Sequence, residues 1–163
     1  MAGVTFNADE VFAMALEIEI NGSKFYRKAA EFASDKRVKE MLLSLADMED
    51  RHYEAFAELR RKLSQKERAG TVWDPDNEAA VYLRTMADHR VFDLSDPTTQ
   101  FTGAEPLSEV FHKAVDLEKD SVVFYLGMKD LVPEKLGKDK IDDILHEEMS
   151  HITILNRELA EAS

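Results

Sequence analysis

Two copies of the pattern Glu-x-x-His carry the side chains in this sequence that are best suited to chemistry. They are Glu49 with His52, and Glu148 with His151. Residues three apart project from the same face of a helix, so each pair can present a carboxylate and an imidazole to one centre. Both pairs occupy positions where the flanking helical pattern requires buried apolar side chains. Because an uncompensated buried carboxylate is costly, these positions predict bound cations.

An internal repeat enlarges this set of candidate ligands. When the sequence is shifted by 99 residues, the two halves align without a gap and share few positions. The shared positions that could do chemistry are Glu19 and Glu118, Tyr26 and Tyr125, Glu49 and Glu148, and His52 and His151. Two divalent cations would balance the four carboxylates with both imidazoles neutral, and this oxygen and nitrogen ligand set suits iron, manganese or zinc. The glutamates and histidines of the repeat are therefore the predicted metal ligands.

A tyrosine follows the first glutamate of each half seven residues later, at Tyr26 and Tyr125. Seven residues are two helical turns, about 10.5 Å along the axis, so the tyrosine lies on the same face as the glutamate. A phenol at that place can donate a hydrogen bond to a ligand carboxylate or relay an electron. We predict both tyrosines as functional residues, with ordinary core packing as the alternative.

Three other residues compete for a place in the site and fail the test of the repeat. Glu109 and His112 form a third Glu-x-x-His pattern, but the residues 99 positions earlier are a glutamate and an alanine. Glu17 rivals Glu19, but it breaks the seven-residue spacing to the tyrosine. We therefore expect all three to lie outside the site.

The composition limits the classes of protein to consider. The chain has 163 residues, 44% of them hydrophobic, with a net charge of −12 and no cysteine. This length suits a single domain spanning residues 1–163. Strong acidity argues against nucleic acid or an anionic membrane as partner. Without cysteine there are no disulfides or thiolate ligands, and without a secretory signal or membrane span we expect a cytoplasmic protein.

Helical periodicity organises the chain into four long segments. They cover about residues 9–33, 35–63, 106–131 and 138–160, with Asn7 or Asp9 and Ser34 or Asp35 as candidate caps of the first two. The first and second segments are joined tightly, as are the third and fourth. A long connection, about residues 65–105, contains one further helical stretch at 77–89. The pattern predicts an all-α fold, a four-helix bundle of two helical hairpins joined by a long crossover with a short helix.

These residues resemble the rubrerythrin-like branch of the ferritin-like superfamily, in a stand-alone form. The resemblance rests on both Glu-x6-Tyr and both Glu-x-x-His patterns, and on segment 80–92 of the crossover. It implies a ferritin-like bundle with two iron ions, bridged by Glu49 and Glu148, with Glu19 and Glu118 as terminal ligands. It also implies an oxidoreductase that reduces peroxide or dioxygen. The electrons must come from an external donor, because the absence of cysteine excludes a rubredoxin module.

One departure from that group keeps other functions open. Rubrerythrins carry an additional glutamate one turn after the ligand of the third helix, where this chain has Ser121. The alternatives are an iron-binding or storage-accessory protein with ferroxidase-type uptake, a manganese catalase-like protein, and a metal-free interaction bundle. The long bundle faces and the crossover favour a homodimer.

The resemblance also predicts that the two metal positions differ. The acidic residue before a bridging glutamate often holds the histidine of the partner helix, and Glu147 fits this role toward His52. Its counterpart in the repeat is Met48, which cannot accept a hydrogen bond of that kind from His151. We therefore expect two metal sites of unequal affinity.

Overall fold

The computed structural model of the chain describes residues 7–65, 68 and 95–162. Within these ranges it contains four long helices and no strand: α1 (Ala8–Phe32), α2 (Lys36–Arg61), α3 (Leu107–Leu131) and α4 (Lys138–Glu161). The predicted all-α four-helix fold is confirmed, and the predicted helix ends lie within about two residues of these bounds. The predicted crossover helix at 77–89 and the segment 80–92 lie outside the described residues.

Local hydrogen bonds explain where the helices of the first hairpin begin. The Asn7 side chain accepts from the Glu10 backbone N–H at 2.8 Å, and the Glu10 carboxylate accepts from the Asn7 backbone N–H at 3.1 Å. This reciprocal capping box starts α1. The Asp35 carboxylate accepts from the backbone N–H groups of Arg37 and Val38 and starts α2. Of the candidate caps, Asn7 and Asp35 are therefore confirmed, and α2 begins after only three residues, 33–35, that follow the end of α1.

The second hairpin turns at Pro133 and Gly137. Pro133 begins a short 3-10 turn, Glu134–Leu136, and Gly137 follows it with φ of +89°. This left-handed conformation is accessible to glycine without the steric penalty that other residues would meet. α4 therefore begins directly after α3 and packs against it, while α1 packs against both α2 and α3.

The core consists of two apolar clusters with a polar layer between them. One cluster contains Phe12, Phe56 and Phe124, and the other contains Phe25 and Phe111 together with the leucines of the first part of α2. Along each helix, the predicted metal ligands lie between the residues of the two clusters. The polar layer thus lies between two well-packed apolar clusters.

The described end of the crossover covers part of α1. A 3-10 turn, Pro97–Gln100, contacts α1, and the Asn21 amide donates to the Ser95 carbonyl at 3.3 Å. The Phe101 ring lies 5.2 Å from the rings of Phe25 and Phe32. Among the helices that the structure describes, none has a stretch that is both long and apolar enough to cross a membrane.

Candidate metal centre

The structure brings the six predicted ligands together in the middle of the bundle. α1 contributes Glu19 and α3 contributes Glu118, while α2 and α4 each contribute a Glu-x-x-His pair. The exposed fraction of each of the six residues is at most 3%. The competing residues Glu17, Glu109 and His112 are all exposed on the outer faces of α1 and α3, as expected. Four helices therefore place six polar side chains at one buried centre.

The ligand atoms form two overlapping groups. One group consists of Glu19, Glu49, His52 and Glu148, and the other of Glu49, Glu118, Glu148 and His151. Within each group the candidate ligand atoms lie within 4.8 Å of one another. Glu49 and Glu148 belong to both groups, which is the placement expected of bridging carboxylates. Each group also contains one terminal glutamate and one histidine, so the two groups match the two halves of the repeat.

Both histidines turn Nδ1 toward the carboxylates. His52 Nδ1 lies 3.2 Å from Glu148 Oε1 and 3.6 Å from Glu19 Oε2. His151 Nδ1 lies 3.2 Å from Glu49 Oε1 and 3.1 Å from Glu148 Oε2. The two imidazole rings stack with their centroids 5.7 Å apart. Nδ1 is therefore the nitrogen that would face a cation held by the carboxylates of each group.

The hydrogen-bonding state of these atoms tests whether metal ions fit. Buried polar atoms in proteins nearly always have a hydrogen-bond partner. In the described part of the chain, those without one include Glu19 Oε2, Glu49 Oε1, both carboxylate oxygens of Glu148, and His52 Nδ1. These are hard oxygen donors and an imidazole nitrogen directed at a common centre, which is the chemistry that Fe²⁺, Mn²⁺ or Zn²⁺ prefers. The residues present therefore fit two divalent cations.

The same crowding shifts the pKa values of the ligands. Burial, together with repulsion from Glu49 and Glu148, raises the pKa of the Glu19 and Glu118 carboxyls well above their usual range. Burial lowers the pKa of His52, but hydrogen bonds to Glu148 and Glu19 outweigh it and raise that pKa to about 11. Without cations, protons bound to these side chains would therefore neutralise the negative charge of the cluster. Metal binding must displace them, so affinity should fall as pH falls.

The two tyrosines contact the terminal glutamates crosswise. The Tyr26 hydroxyl donates to Glu118 Oε1, and the Tyr125 hydroxyl donates to Glu19 Oε1. Both rings are buried, and burial beside the carboxylates raises the pKa of each phenol well above its usual range. The phenols therefore stay protonated and act as donors. The sequence suggested a bond to a ligand carboxylate, but its spacing gave no sign that the partner lies in the other hairpin.

The two histidines differ in what holds the outward ring nitrogen. His52 Nε2 lies 2.8 Å from Glu147 Oε2, which is the contact predicted from the resemblance. His151 Nε2 is buried, and none of the described residues gives it a hydrogen-bond partner. A carboxylate on the far nitrogen orients the ring and raises the basicity of the coordinating nitrogen. The His52 position should therefore bind its metal ion more tightly than the His151 position.

We expect Glu147→Gln to lower the affinity for one of two bound ions by about 10–100-fold while leaving the other nearly unchanged. The reason is that the amide keeps the shape of Glu147 but loses the charge that supports His52. Titration of the metal-free protein with Co²⁺, followed by its visible absorption, resolves the two steps. The exposed Glu54→Gln on α2 is the matched control. Two indistinguishable steps in the unaltered protein would contradict the expected asymmetry.

One glutamate from each of two helices and a Glu-x-x-His pair from each of the other two is the ligand layout of ferritin-like carboxylate proteins. The fold and the site thus define that class. The family model described as Rubrerythrin matches residues 10–159, and the chain belongs to this family.

A solved structure supports the fold. It is the crystal structure of a Thermotoga maritima protein provisionally described as a ferritin-like diiron-carboxylate protein. The two chains superimpose with a TM-score of 0.73 at 22% sequence identity, and the match covers 98% of each chain. At this identity the likeness speaks for the fold alone. No match was found among curated proteins.

Proposed function

We propose that this protein holds two iron ions and works as an oxidoreductase that reduces hydrogen peroxide or dioxygen with electrons from an external donor. The observation that carries the proposal is the pair of overlapping groups that share Glu49 and Glu148. Membership of the rubrerythrin family supports it. The description of the Thermotoga maritima relative as a diiron-carboxylate protein points to the same metal. The proposed ligands are Glu19, Glu49, His52, Glu118, Glu148 and His151.

The residues of the chain set the position and number of the ions. Glu49 and Glu148 belong to both ligand groups and would hold two ions close together, while Glu19 and Glu118 would each complete one position. Two ferrous ions would supply two electrons, which with two protons cleave the O–O bond of hydrogen peroxide and give two waters. The external donor then returns two electrons. The chain has no cysteine that could hold an iron–sulfur donor centre of its own.

Tyr26 and Tyr125 keep the terminal carboxylates in place. Each phenol donates to a carboxylate oxygen and so helps to fix that glutamate. Glu19 Oε2 has no hydrogen-bond partner among the described residues, whereas Glu118 Oε1 accepts from Tyr26 and also lies 3.2 Å from His151 Nδ1. The raised phenol pKa values keep these protons on the tyrosines at neutral pH. We propose that this support limits movement of Glu118 and Glu19 when the charge of the centre changes.

Stopped-flow mixing of the Fe²⁺-loaded protein with hydrogen peroxide, without dioxygen, tests the proposal. We expect rapid oxidation of two irons per chain. Glu49→Ala should slow it by at least about 100-fold, because loss of a ligand shared by both ions exceeds the 10–100-fold effect of an outer contact. Glu109→Ala, in the exposed third Glu-x-x-His, is the matched control and should react like the unaltered protein.

Two outcomes would overturn the proposal. One is slow oxidation in the unaltered protein, and the other is equal oxidation in Glu49→Ala. Retention of many more than two irons per chain would instead favour the iron-uptake alternative. Tight binding of manganese with dismutation of peroxide, and no need for an external donor, would favour the catalase-like alternative.

A further inference from the structure

A small cavity lies between α1 and α3, directly beside the candidate metal centre. Its volume is about 30 Å³. The lining includes Ile18, Gly22, Glu49, Leu117, Glu118 and Ser121. A water-sized group needs about 10–15 Å³ on this scale, so the cavity has room for about two non-hydrogen atoms. It therefore fits a molecule of the size of hydrogen peroxide or dioxygen.

The lining follows the internal repeat in part. Ile18 corresponds to Leu117, and Gly22 corresponds to Ser121, under the same shift of 99 residues. Tyr26, Glu49 and Glu118 also line the cavity, without their counterparts in the repeat. Glu49 belongs to both ligand groups, and Glu118 belongs to one of them. A molecule in the cavity therefore lies beside a carboxylate that both groups share.

The absence of a side chain at Gly22 keeps the cavity open beside Glu49. A Cβ atom added at Gly22 would lie 3.0 Å from Glu49 Oε2 and 3.2 Å from the carboxyl carbon of Glu49, closer than ordinary contact. Any other residue at this position would push the carboxylate or fill the space. A side chain at position 22 would therefore crowd Glu49, a proposed bridging ligand.

Two polar groups face a molecule in the cavity. Glu49 is 3% exposed, and Oε2 is its oxygen nearest to Gly22, whereas Oε1 lies 3.2 Å from His151 Nδ1. The Ser121 hydroxyl donates to the Leu117 carbonyl at 3.1 Å, which leaves its oxygen lone pairs able to accept a hydrogen bond. A peroxide O–H can donate to either oxygen. The cavity is therefore both the right size and supplied with acceptors.

We infer that this cavity is the site through which the oxygen substrate reaches both metal ions, and that Gly22 and Ser121 limit that substrate to about two non-hydrogen atoms. The identity of the substrate rests on the proposed function. Hydrogen peroxide satisfies the limit, whereas tert-butyl hydroperoxide, with a branched carbon group, does not. The protein should therefore discriminate strongly between these two oxidants.

Filling the cavity tests the inference without relying on turnover. Ser121→Val replaces the hydroxyl by two methyl groups, and Ser44→Val makes the same change at an exposed position of α2. Nitric oxide, a probe of two atoms, is added to each Fe²⁺-loaded protein without dioxygen, and its binding is followed by absorbance. We expect at least about 10-fold slower binding in Ser121→Val, corresponding to about 1.4 kcal/mol, and no change in Ser44→Val. An unchanged rate in a Ser121→Val protein that retains two irons would overturn the inference.

A variant that enlarges the cavity tests the inference if Ser121→Val fails to retain iron. Leu117→Ala widens the cavity from the α3 side, so it should react with tert-butyl hydroperoxide at least about 10-fold faster than the unaltered protein. A variant that gains no rate while it retains iron would count against the cavity. The two proposals fail separately. Slow peroxide oxidation in the unaltered protein defeats the proposed function, whereas fast oxidation with unchanged nitric oxide binding in Ser121→Val defeats the cavity alone.

Discussion

Replacing Glu148 with glutamine is expected to abolish the binding of a second metal ion and to weaken the binding of the first by at least about 100-fold. Glu148 belongs to both ligand groups and is fully buried. The amide removes one negative charge from both metal positions and directs an N–H donor toward a cation. Metal analysis after dialysis, together with calorimetric titration, measures both effects.

The control for this change lies on the same helix. Asp143→Asn makes the same chemical change on the exposed face of α4, so it should bind two ions as the unaltered protein does. Glu147→Gln should weaken metal binding to an intermediate degree, because Glu147 contacts only one of the two histidines, His52. Two ions bound by Glu148→Gln with unaltered affinity would show that the two groups do not share this carboxylate.

Metal removal should cost a large part of the stability of the fold. An ion at 100 times its dissociation constant stabilises the folded state by about 2.7 kcal/mol, so two ions contribute about 5 kcal/mol. For a chain of this size, 1 kcal/mol moves Tm by about 2–4 °C. Addition of Fe²⁺ or Zn²⁺ to chelator-treated protein should therefore raise Tm by about 10–20 °C, as measured by circular dichroism or calorimetry.

The variant Glu19→Gln should raise the Tm of the metal-free protein but reduce the gain in Tm that metal addition gives. Burial and the neighbouring carboxylates raise the pKa of Glu19, so its ionised form is unfavourable without cations. The amide can still accept from Tyr125. The metal-free variant should therefore melt above the metal-free unaltered protein, whereas its gain in Tm on metal addition should be smaller. A variant that melts lower in both states would contradict this account of the charged cluster.

The direction of the pH dependence follows from the histidines. The pKa of His52 is raised to about 11, so metal ions displace a proton from it at neutral pH. The gain in Tm on metal addition should therefore shrink as pH falls from 8 to 5. Glu58→Gln, at an exposed position of α2 outside the cluster, should leave this trend unaltered.

The repeat allowed the six clustered candidate ligands to be picked out from the sequence, because polar residues inside an apolar helical stripe are conspicuous. Glu49 and His52 stood out for this reason, and the shift to the second half then separated Glu19 from Glu17. Helix ends were also predictable, since Asn7 and Asp35 cap through local hydrogen bonds. The caps depend on contacts within a few residues, and the polar positions depend on spacing along single helices, so neither required knowledge of how the helices pack.

What the sequence did not reveal depends on how the two hairpins meet. The crosswise bonds of Tyr26 and Tyr125 join residues about a hundred positions apart, and helical spacing carries no information about them. The cavity between Gly22 and Ser121 likewise exists only where α1 and α3 pack. In the sequence, the only sign of the cavity was that two small residues, Gly22 and Ser121, occupy equivalent positions of the repeat. Only the short distance from Gly22 to Glu49 in the structure shows why a small residue is required there.

The crosswise arrangement has a consequence for how such a protein could originate. Each ligand group takes three members from one hairpin and a single glutamate, Glu49 or Glu148, from the other. A lone hairpin therefore lacks the fourth ligand and the tyrosine that supports its terminal glutamate. Two identical hairpins that associated around a twofold axis would complete both centres. Duplication and fusion of a gene for one such self-associating hairpin would yield the present chain, and later divergence at Met48 and Glu147 would make the two halves unequal.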